Sequence, residues 1–411
     1  METQEYSYRV PIGPNNPALK EPVSFDLKIE GEEIVDVIVK PGWVHRGIEY
    51  LATKRNPIQV IYLSERICGI CSVTHAYNYV RAVEDAMDME IPPRAEYIRT
   101  IVAELERIHS HILWAGYAGH IIGFDTIFHY SWRERESVLD VLEALCGNRV
   151  NYGIMTIGGV RRDMTPEVEK LTRENMKHWL EIFKKYVEAF LEDPMIEART
   201  RGVGILTQKD AMELCALGPT LRGSGIPADV RQDQPYSAYG DLGFEAIVPQ
   251  QIHSNKVTGD VYDKITVRLY EVKQSVEIIE KCLDGLPEGD FVVEPRVARV
   301  LPMLKKADGE GFSSIEGPRG EDFHYVKLEE GNENITSWKV RAPTYSNLMT
   351  WKPMMIGSQI ADVPLIVASV DPCMSCTDRV TVIDSRKGTS TVLTEEDLRK
   401  MSTEKTRRLM R

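Results

Sequence analysis

The chain has 411 residues, 43% apolar and 27% charged, and its 29 Gly and 22 Pro are too few for a disordered or collagenous chain. A formal charge of −12 excludes the basic face or stripe that a nucleic-acid partner needs, and leaves protein and small-molecule partners open. A chain of this length can bury a large core.

The opening METQEYSYRV has neither the basic nor the apolar region of a signal peptide, and no apolar run reaches the roughly 18–20 residues of a bilayer crossing. The expected location is the cytoplasm, with any membrane attachment supplied by another subunit. Residues 24–40 alternate at Phe25, Leu27 and Ile29, turn at Glu30-Gly31-Glu32 and resume with Ile34, Val35, Val37 and Val39, which predicts a β-hairpin. From about 57 to 290 the apolar period becomes helical: Ile98, Ile101, Val102, Leu105, Ile108 and Ile112 recur at three and four, as do Val261, Ile265, Leu269, Val272, Val276, Ile279 and Cys282. Helices of this length predict a bundle. The Gly-, Arg- and Pro-rich stretches 147–163 and 217–235 read as loops. Residues 380–411 read as a structured tail: an alternating stretch turning at Lys387-Gly388, then a helix with Thr394 as N-cap and acidic residues in its first turn. The expected fold class is predominantly α (α+β), a large helical bundle core with a small N-terminal β-sheet. It is taken as one domain, 1–411, with a β-rich segment 1–45, a helical core 46–290, a C-terminal part 291–379 and the tail.

The seven cysteines include two CxxC pairs, Cys68/Cys71 in RICGICSVTH and Cys373/Cys376 in SVDPCMSCTDR, separated by most of the chain. In a reducing compartment, paired cysteines are better metal ligands than disulfide partners. Each spacing lets two sulfurs reach one centre from a single turn, so four thiolates can converge. The pair spacing alone fits a structural zinc as well as it fits nickel or iron. Zinc ribbons, however, keep their pairs close together to staple a small fold, and a large helical core needs no staple. Cys146, Cys215 and Cys282 lie far apart on apolar helical faces, read as buried small hydrophobes, and do not make the four ligands of an iron–sulfur cluster. No such cluster is expected in this chain, so an electron relay must come from a partner.

The two cysteine motifs resemble the signature motifs of the large subunit of nickel–iron hydrogenases, and the Arg379 that ends the second resembles the energy-converting, membrane-associated branch. The stretches PIGPNNPALKEP (11–22), HRGIEY (45–50), AELERIHSHILW (103–114), GNRVNY (147–152), GPTLRGSG (218–225), GDVYDK (259–264) and GPRGE (317–321) resemble that branch too. They are also similar to its relative, the quinone-site 49-kDa subunit of respiratory complex I, which lacks the four cysteines.

The resemblance implies an Ni-Fe(CN)2(CO) centre in which Cys68 and Cys373 are terminal nickel ligands and Cys71 and Cys376 bridge nickel to iron, with Cys373 as the proton-accepting sulfur. It implies that Glu21 carries the proton away; composition alone reads Glu21 as a solvated glutamate beside a proline. It places Arg319 over an iron-bound cyanide, a task that suits a fixed, permanently charged guanidinium; without the resemblance, Arg319 reads as a surface turn residue. His75, one helical turn after Cys71, is a candidate donor to a ligand sulfur or else a hydrogen-bonded core histidine. Lys20 has no family match, and His109, His111, His120 and His129 form no ligand set. Many hydrogenases end the second motif in His and use it, with the glutamate matched by Glu49, around a magnesium ion. With Arg379 there, no magnesium is expected, and Glu49 is given a structural or proton-path role. Asn16 stands where relatives often have His, which weakens a quinone pocket.

The implied reaction is reversible reduction of protons to dihydrogen. Its implied partners are an iron–sulfur small subunit, ferredoxin as electron donor, and antiporter-like and anchor subunits in the membrane, with this chain on the cytoplasmic side. Large subunits of this kind are commonly cut after the second motif, here after Arg379, which would release Val380–Arg411; an uncut chain favours a relative with changed chemistry, such as a sulfane-sulfur reductase. A quinone reductase and a non-catalytic structural subunit are the other readings.

Overall fold

The expected hairpin is present and takes a third strand. In a computed structural model that describes residues 7–17, 19–253, 257–379, 383–384, 389–390 and 395–410, β1 (Ser7–Ile12), β2 (Ser24–Glu30) and β3 (Glu33–Lys40) form an antiparallel sheet in that order. Phe25, Leu27, Ile29, Ile34 and Val37 are its buried face. Ile34 and Val37 are three apart and still share that face because the β2–β3 register shifts between Lys28 and Ile29, and a bulge absorbs the extra residue. The face packs on Trp351, Met354, Met355, Val363 and Ile366, with the Phe25 and Trp351 rings edge to face at 5.2 Å.

The helical core is built from α1 (Ser72–Ala86), α2 (Pro93–Ile122), α3 (Asp125–Cys146), α4 (Pro166–Leu191) and α5 (Val261–Asp284). Proline at N1 starts α2 and α4, where its missing N–H costs nothing. Helices α2 and α3 form a close antiparallel pair in which Gly116 and Gly119 of α2 make room for Ser131 and Ile127 of α3. Every apolar position expected on α2 and α5 is buried.

What periodicity does not show is that the polar side of α5 is buried too, including Asp263, Lys264, Arg268, Glu271 and Gln274. Part of that side faces α2, and its charges are met there or from the neighbouring loops and short helices. Glu271 accepts from His111 at 2.8 Å and Arg222 at 2.9 Å; Glu104 accepts from Arg231 at 3.0 Å, Arg107 at 3.3 Å and Ser275 at 2.6 Å.

Among the described residues, Lys264 and Arg268 have no carboxylate partner: Arg268 donates to the Lys264 carbonyl at 3.2 Å, and the Lys264 ammonium donates to the carbonyls of Gly259 at 2.7 Å, Gly204 at 3.1 Å and Asp260 at 3.3 Å. Burial outweighs the pull of Asp260 and Asp263 and brings it down from 10.5 to about 7. Between these values the unfolded chain binds the extra proton, so this group makes the fold more stable as pH rises from 7 toward 10.5. In thermal melts, the gap between wild type and Lys264→Met is expected to move in favour of wild type between about pH 6.5 and 9.5. An equal gap at both ends would mean that Lys264 titrates normally.

The sequence reading assigned no sheet to 291–379, yet β4 (Gly309–Gly317), β5 (Gly320–Leu328) and β6 (Ser337–Arg341) form a second antiparallel sheet lying on α1. Contact is close enough that a Cβ on Gly311 would sit 1.9 Å from the Ala82 carbonyl oxygen. The expected loops need correction as well. The stretch 217–235 contains two short helices, Gly218–Gly223 and Val230–Asp233, and 147–163 contains a hairpin pairing Met155 with Val160. Their glycines and prolines cap short elements that tertiary contacts hold, and local composition does not distinguish these from open loop. Cys215 is also not a buried helical residue: it lies just beyond a short helix, exposed, at φ +52°, whereas Cys146 and Cys282 are buried.

After Val363–Val370 (α6) comes the second CxxC, which opens the single turn α7 (Met374–Thr377). In the tail, Ile383–Asp384 pairs antiparallel with Thr389–Ser390 and a helix spans Glu395–Leu409. The expected Lys387-Gly388 turn and the Thr394 cap lie outside the described residues.

Candidate metal centre

The two CxxC pairs approach from different layers. Cys71 is the N-cap of α1, in the helical core, and Cys373 is the N-cap of α7, at the end of the helices under the N-terminal sheet. They meet at the seam. Ligand atoms of Cys68, Cys71, Cys373 and Cys376 all lie within 4.8 Å of one another, with Cys71 Sγ 3.6 Å and Cys373 Sγ 2.6 Å from Cys376 Sγ. All four residues are buried.

Four sulfurs this close cannot all ionise unaided. The neighbouring thiols hold Cys68 well below the usual thiol range, while Cys71 is held up by the Cys373 sulfur and Cys376 by burial. A soft cation removes the conflict by taking four thiolates at once.

Arg46, in HRGIEY, ties the two loops: it donates to the carbonyls of Arg66 at 2.9 Å and Ile67 at 2.6 Å on one side, and of Ser375 at 3.1 Å on the other. Each helix that starts at a cysteine pair also has first-turn N–H groups met by a glutamate from elsewhere. Glu106 of α2 accepts from the backbone of Val73 at 2.6 Å and Thr74 at 2.9 Å at the start of α1. Glu21 does the same for Met374 and Ser375 at the start of α7, and takes the Ser375 hydroxyl. Glu21 therefore lies against the second pair rather than in solvent. Burial raises its carboxyl above the usual range, against the pull of these hydrogen bonds. The same Ser375 hydroxyl lies 3.6 Å from Cys373 Sγ.

Arg319 sits in the two-residue turn Pro318-Arg319 that joins β4 to β5, and is buried at 4% exposure. A buried turn needs room behind it. A Cβ on Gly218 would lie 2.4 Å from the Arg319 carbonyl oxygen, and one on Gly320 would lie 2.7 Å from the Gly218 nitrogen, so two glycines at positive φ pass face to face and press the arginine inward. Asp371, at the αL end of α6, holds the guanidinium through its carbonyl at 2.8 Å and its carboxylate at 3.0 Å, and Lys20 pairs with the other carboxylate oxygen at 2.8 Å. Burial works to raise the Asp371 carboxyl, but Arg319, Lys20 and Arg268 hold it down at about 2.

Arg319 Nη1 is left buried with no hydrogen-bond partner among the described residues. It belongs to a pocket also lined by Cys71, His75, Thr344, Cys373 and Cys376. A donor without a partner beside four thiols fits a metal group that carries an anionic ligand.

His75 reaches the site, with Nε2 3.2 Å from Cys376 Sγ. Behind it stand Asp322 and His324, which sequence reasoning did not single out although GPRGE leads directly into them. The roles of Asp371 and Lys20 were also missed; proximity to DPC and to Glu21 is the signal that was available. Glu49 accepts from Arg379 at 2.8 Å and from the Val340 backbone at 3.0 Å, so a guanidinium from this chain fills the place by that carboxylate. His109 accepts from Arg135 at 3.2 Å, His111 donates to Glu271 at 2.8 Å and His120 pairs with Asp125.

Two family models match: "Respiratory-chain NADH dehydrogenase, 49 Kd subunit" over residues 122–379 and "Nickel-dependent hydrogenase" over residues 46–125. The chain is 46% identical to the membrane-bound hydrogenase subunit alpha of Pyrococcus furiosus, over 100% of this chain and 96% of that one. It is 39% identical to the carbon monoxide-induced hydrogenase of Rhodospirillum rubrum, over 91% and 99%. Among solved structures it resembles a chain of a membrane-bound sulfane sulfur reductase, described as an archaeal respiratory membrane complex, with a TM-score of 0.83 and 30% identity over 92% of this chain and 100% of that one.

Proposed function

Because the chain belongs to the energy-converting branch of the nickel–iron hydrogenase large-subunit family, related to the complex I 49-kDa subunits, we propose that it is the catalytic subunit of a membrane-associated complex that interconverts protons and dihydrogen. The observation that carries this reading is the meeting of four buried thiols with an unpartnered guanidinium nitrogen.

In this reading Cys68 and Cys373 would hold nickel, and Cys71 and Cys376 would serve nickel and iron together. The bound group would supply redox-active, Lewis-acidic metal chemistry to polarise dihydrogen. The protein's part is to hold the ligands, exclude water and move the proton. Cys373 is the base, and the Ser375 hydroxyl stands between its sulfur and Glu21. Glu21 would take the proton on, and Arg319 Nη1 would be available to an anionic ligand of the bound group, with Asp371 fixing the plane of the guanidinium.

An iron–sulfur small subunit would pass electrons from ferredoxin, and antiporter-like and anchor subunits would hold the chain on the cytoplasmic side. Among the described residues no helix is long and apolar enough to cross a membrane. The likeness to a sulfane sulfur reductase favours a second reading, reduction of polysulfide on the same scaffold.

The test is an infrared spectrum of the intact complex from its native host, with nickel and iron content and parallel assays with hydrogen, a quinone and polysulfide. Bands of iron-bound carbon monoxide and cyanide with hydrogen turnover support the hydrogenase. Their absence from metal-replete complex that turns over polysulfide or quinone overturns it. Glu21→Gln is expected to keep wild-type nickel and both sets of bands while turnover falls by about 10²–10⁴-fold, the usual contribution of a positioned proton carrier. Unchanged turnover would remove Glu21 from the proton path.

A further inference from the structure

Residues 20 and 21 are neighbours in the chain, and their side chains take hold of the second cysteine loop on either side of Cys373. Glu21 accepts from Met374 and Ser375, just after the cysteine, whereas the Lys20 ammonium donates to Asp371 Oδ1 at 2.8 Å, two residues before it. The Lys20 side chain is 13% exposed, and its ammonium lies 4.7 Å from the centre of the Tyr117 ring on α2. Burial works against its charge, and Asp371 works for it. A lysine held between a carboxylate and an aromatic face, with little access to water, is a placed charge rather than a loose surface pair.

What Lys20 holds decides where Arg319 points. Asp371 grips one edge of the guanidinium: its carbonyl accepts from Nε at 2.8 Å, and its Oδ2 lies 3.0 Å from Nη2. The carbonyl is fixed by the αL turn at φ +55° that ends α6. The carboxylate can still rotate about the side-chain bonds, and the ammonium on Oδ1 opposes any rotation that takes Oδ2 away from Nη2. With that edge occupied, Nη1, unpartnered among the described residues, faces the pocket shared with Cys71, Cys373 and Cys376. Arg319 and Arg268 also pull on the Asp371 carboxyl, so the loss of Lys20 acts on the direction of that carboxylate more than on its charge.

We propose that Lys20 is a positioning residue: acting through Asp371, it sets the orientation in which Arg319 offers Nη1 to the anionic ligand of the bound group. This rests on the hydrogenase reading, in which that ligand is a cyanide on iron. A hydrogen bond to the cyanide draws charge away from iron, and a misdirected one returns it, which weakens the bond of an iron-bound carbon monoxide.

The experiment compares nickel content, infrared bands and hydrogen turnover of the complex from its native host in wild type, Lys20→Met, Lys20→Arg, Asp371→Asn and the Lys20→Met/Asp371→Asn double variant. Methionine keeps an unbranched side chain against Tyr117 and removes the charge and the donor. Lys20→Met is expected to keep wild-type nickel, move the carbon monoxide band to lower wavenumber and lower turnover by about 10–100-fold. Lys20→Arg, which still offers a donor to Oδ1, should return the band most of the way. In the Asp371→Asn background, Lys20→Met should add no further shift, because both changes reach Arg319 through one carboxylate. A wild-type band in nickel-replete Lys20→Met, or a shift that persists undiminished beside Asp371→Asn, would overturn the proposal. Equal shifts in Lys20→Met and Lys20→Arg overturn it too, whether or not Asp371→Asn takes up nickel, and nickel lost from Lys20→Met overturns it by making Lys20 a residue of assembly. Wild-type complex without carbon monoxide or cyanide bands fails the hydrogenase reading itself, and this role of Lys20 falls with it.

Discussion

Cys373→Ser is expected to abolish hydrogen turnover and bring nickel in the purified complex to background, with little change in thermal midpoint. Serine keeps the size of the side chain but offers a hard hydroxyl that does not ionise near neutral pH, where a soft thiolate is needed. Cys373 is buried, but its backbone is held independently of its sulfur: its N–H donates to Thr344 Oγ1 at 3.1 Å, and its carbonyl accepts from Thr377 Oγ1 at 2.9 Å. The cost to folding should stay within about 1–2 kcal/mol. The opposite pattern, a large drop in thermal midpoint with turnover retained, would make the four cysteines a structural clamp and the chain a non-catalytic subunit. Metal analysis and a melt on one preparation separate the two.

The largest effect on the fold is expected at Glu104, far from any cysteine in sequence. Its carboxylate, in the middle of α2, receives Arg107, Arg231, Ser275 and the Tyr239 hydroxyl, and none of these groups reaches water. Burial would raise its pKa, but Arg107 and Arg231 more than offset this and keep it ionised. Glu104→Ala takes the nearest carboxylate from buried Arg107 and leaves Arg231 with the Asp229 carboxylate alone, and should cost about 3–5 kcal/mol. Against a total stability of roughly 5–15 kcal/mol, that appears as loss of soluble complex or a steep fall in thermal midpoint. Glu143→Ala is the control. Glu143 also pairs with an arginine, Arg149 at 2.9 Å, but is exposed, and its removal should change stability by no more than about 0.5 kcal/mol. Equal effects at the two positions would mean that the α2–α5 charges are hydrated.

These two results depend on different kinds of information. Period and turn chemistry alone located the 24–40 hairpin and the apolar stripes of α2 and α5, because each residue's face in a strand or helix depends only on its neighbours along the chain. They did not place Glu104 or Glu271 in the interior. A charged residue opposite an apolar stripe reads as solvent-facing, and only the approach of α5 to α2 shows that it is paired and buried. The β4–β6 sheet was missed for a related reason. Its strands are held by α1 beneath them, and Gly309, Gly311, Gly317 and Gly320 sit at positions where a propensity reading expects β-branched residues.

By itself, the sequence determined the N-terminal hairpin, the long helices and the four sulfur ligands as a candidate set and, through the resemblance of the motifs around them, Glu21, Arg319 and His75 as their proposed companions. The hairpin, helices and cysteine pairs are properties of residue type and local spacing, which the chain carries wherever it folds; Glu21 and Arg319 are implied by the resemblance alone. Only the tertiary structure decided that the two pairs meet at the seam between the helical core and the layer under the N-terminal sheet. It alone set Arg319 in a buried turn on Asp371 rather than a surface one, and brought Lys20 and Glu21 to either side of Cys373. These depend on contacts between residues remote in the chain, where burial and partner geometry fix the charge state and the hydrogen-bond partners of each group.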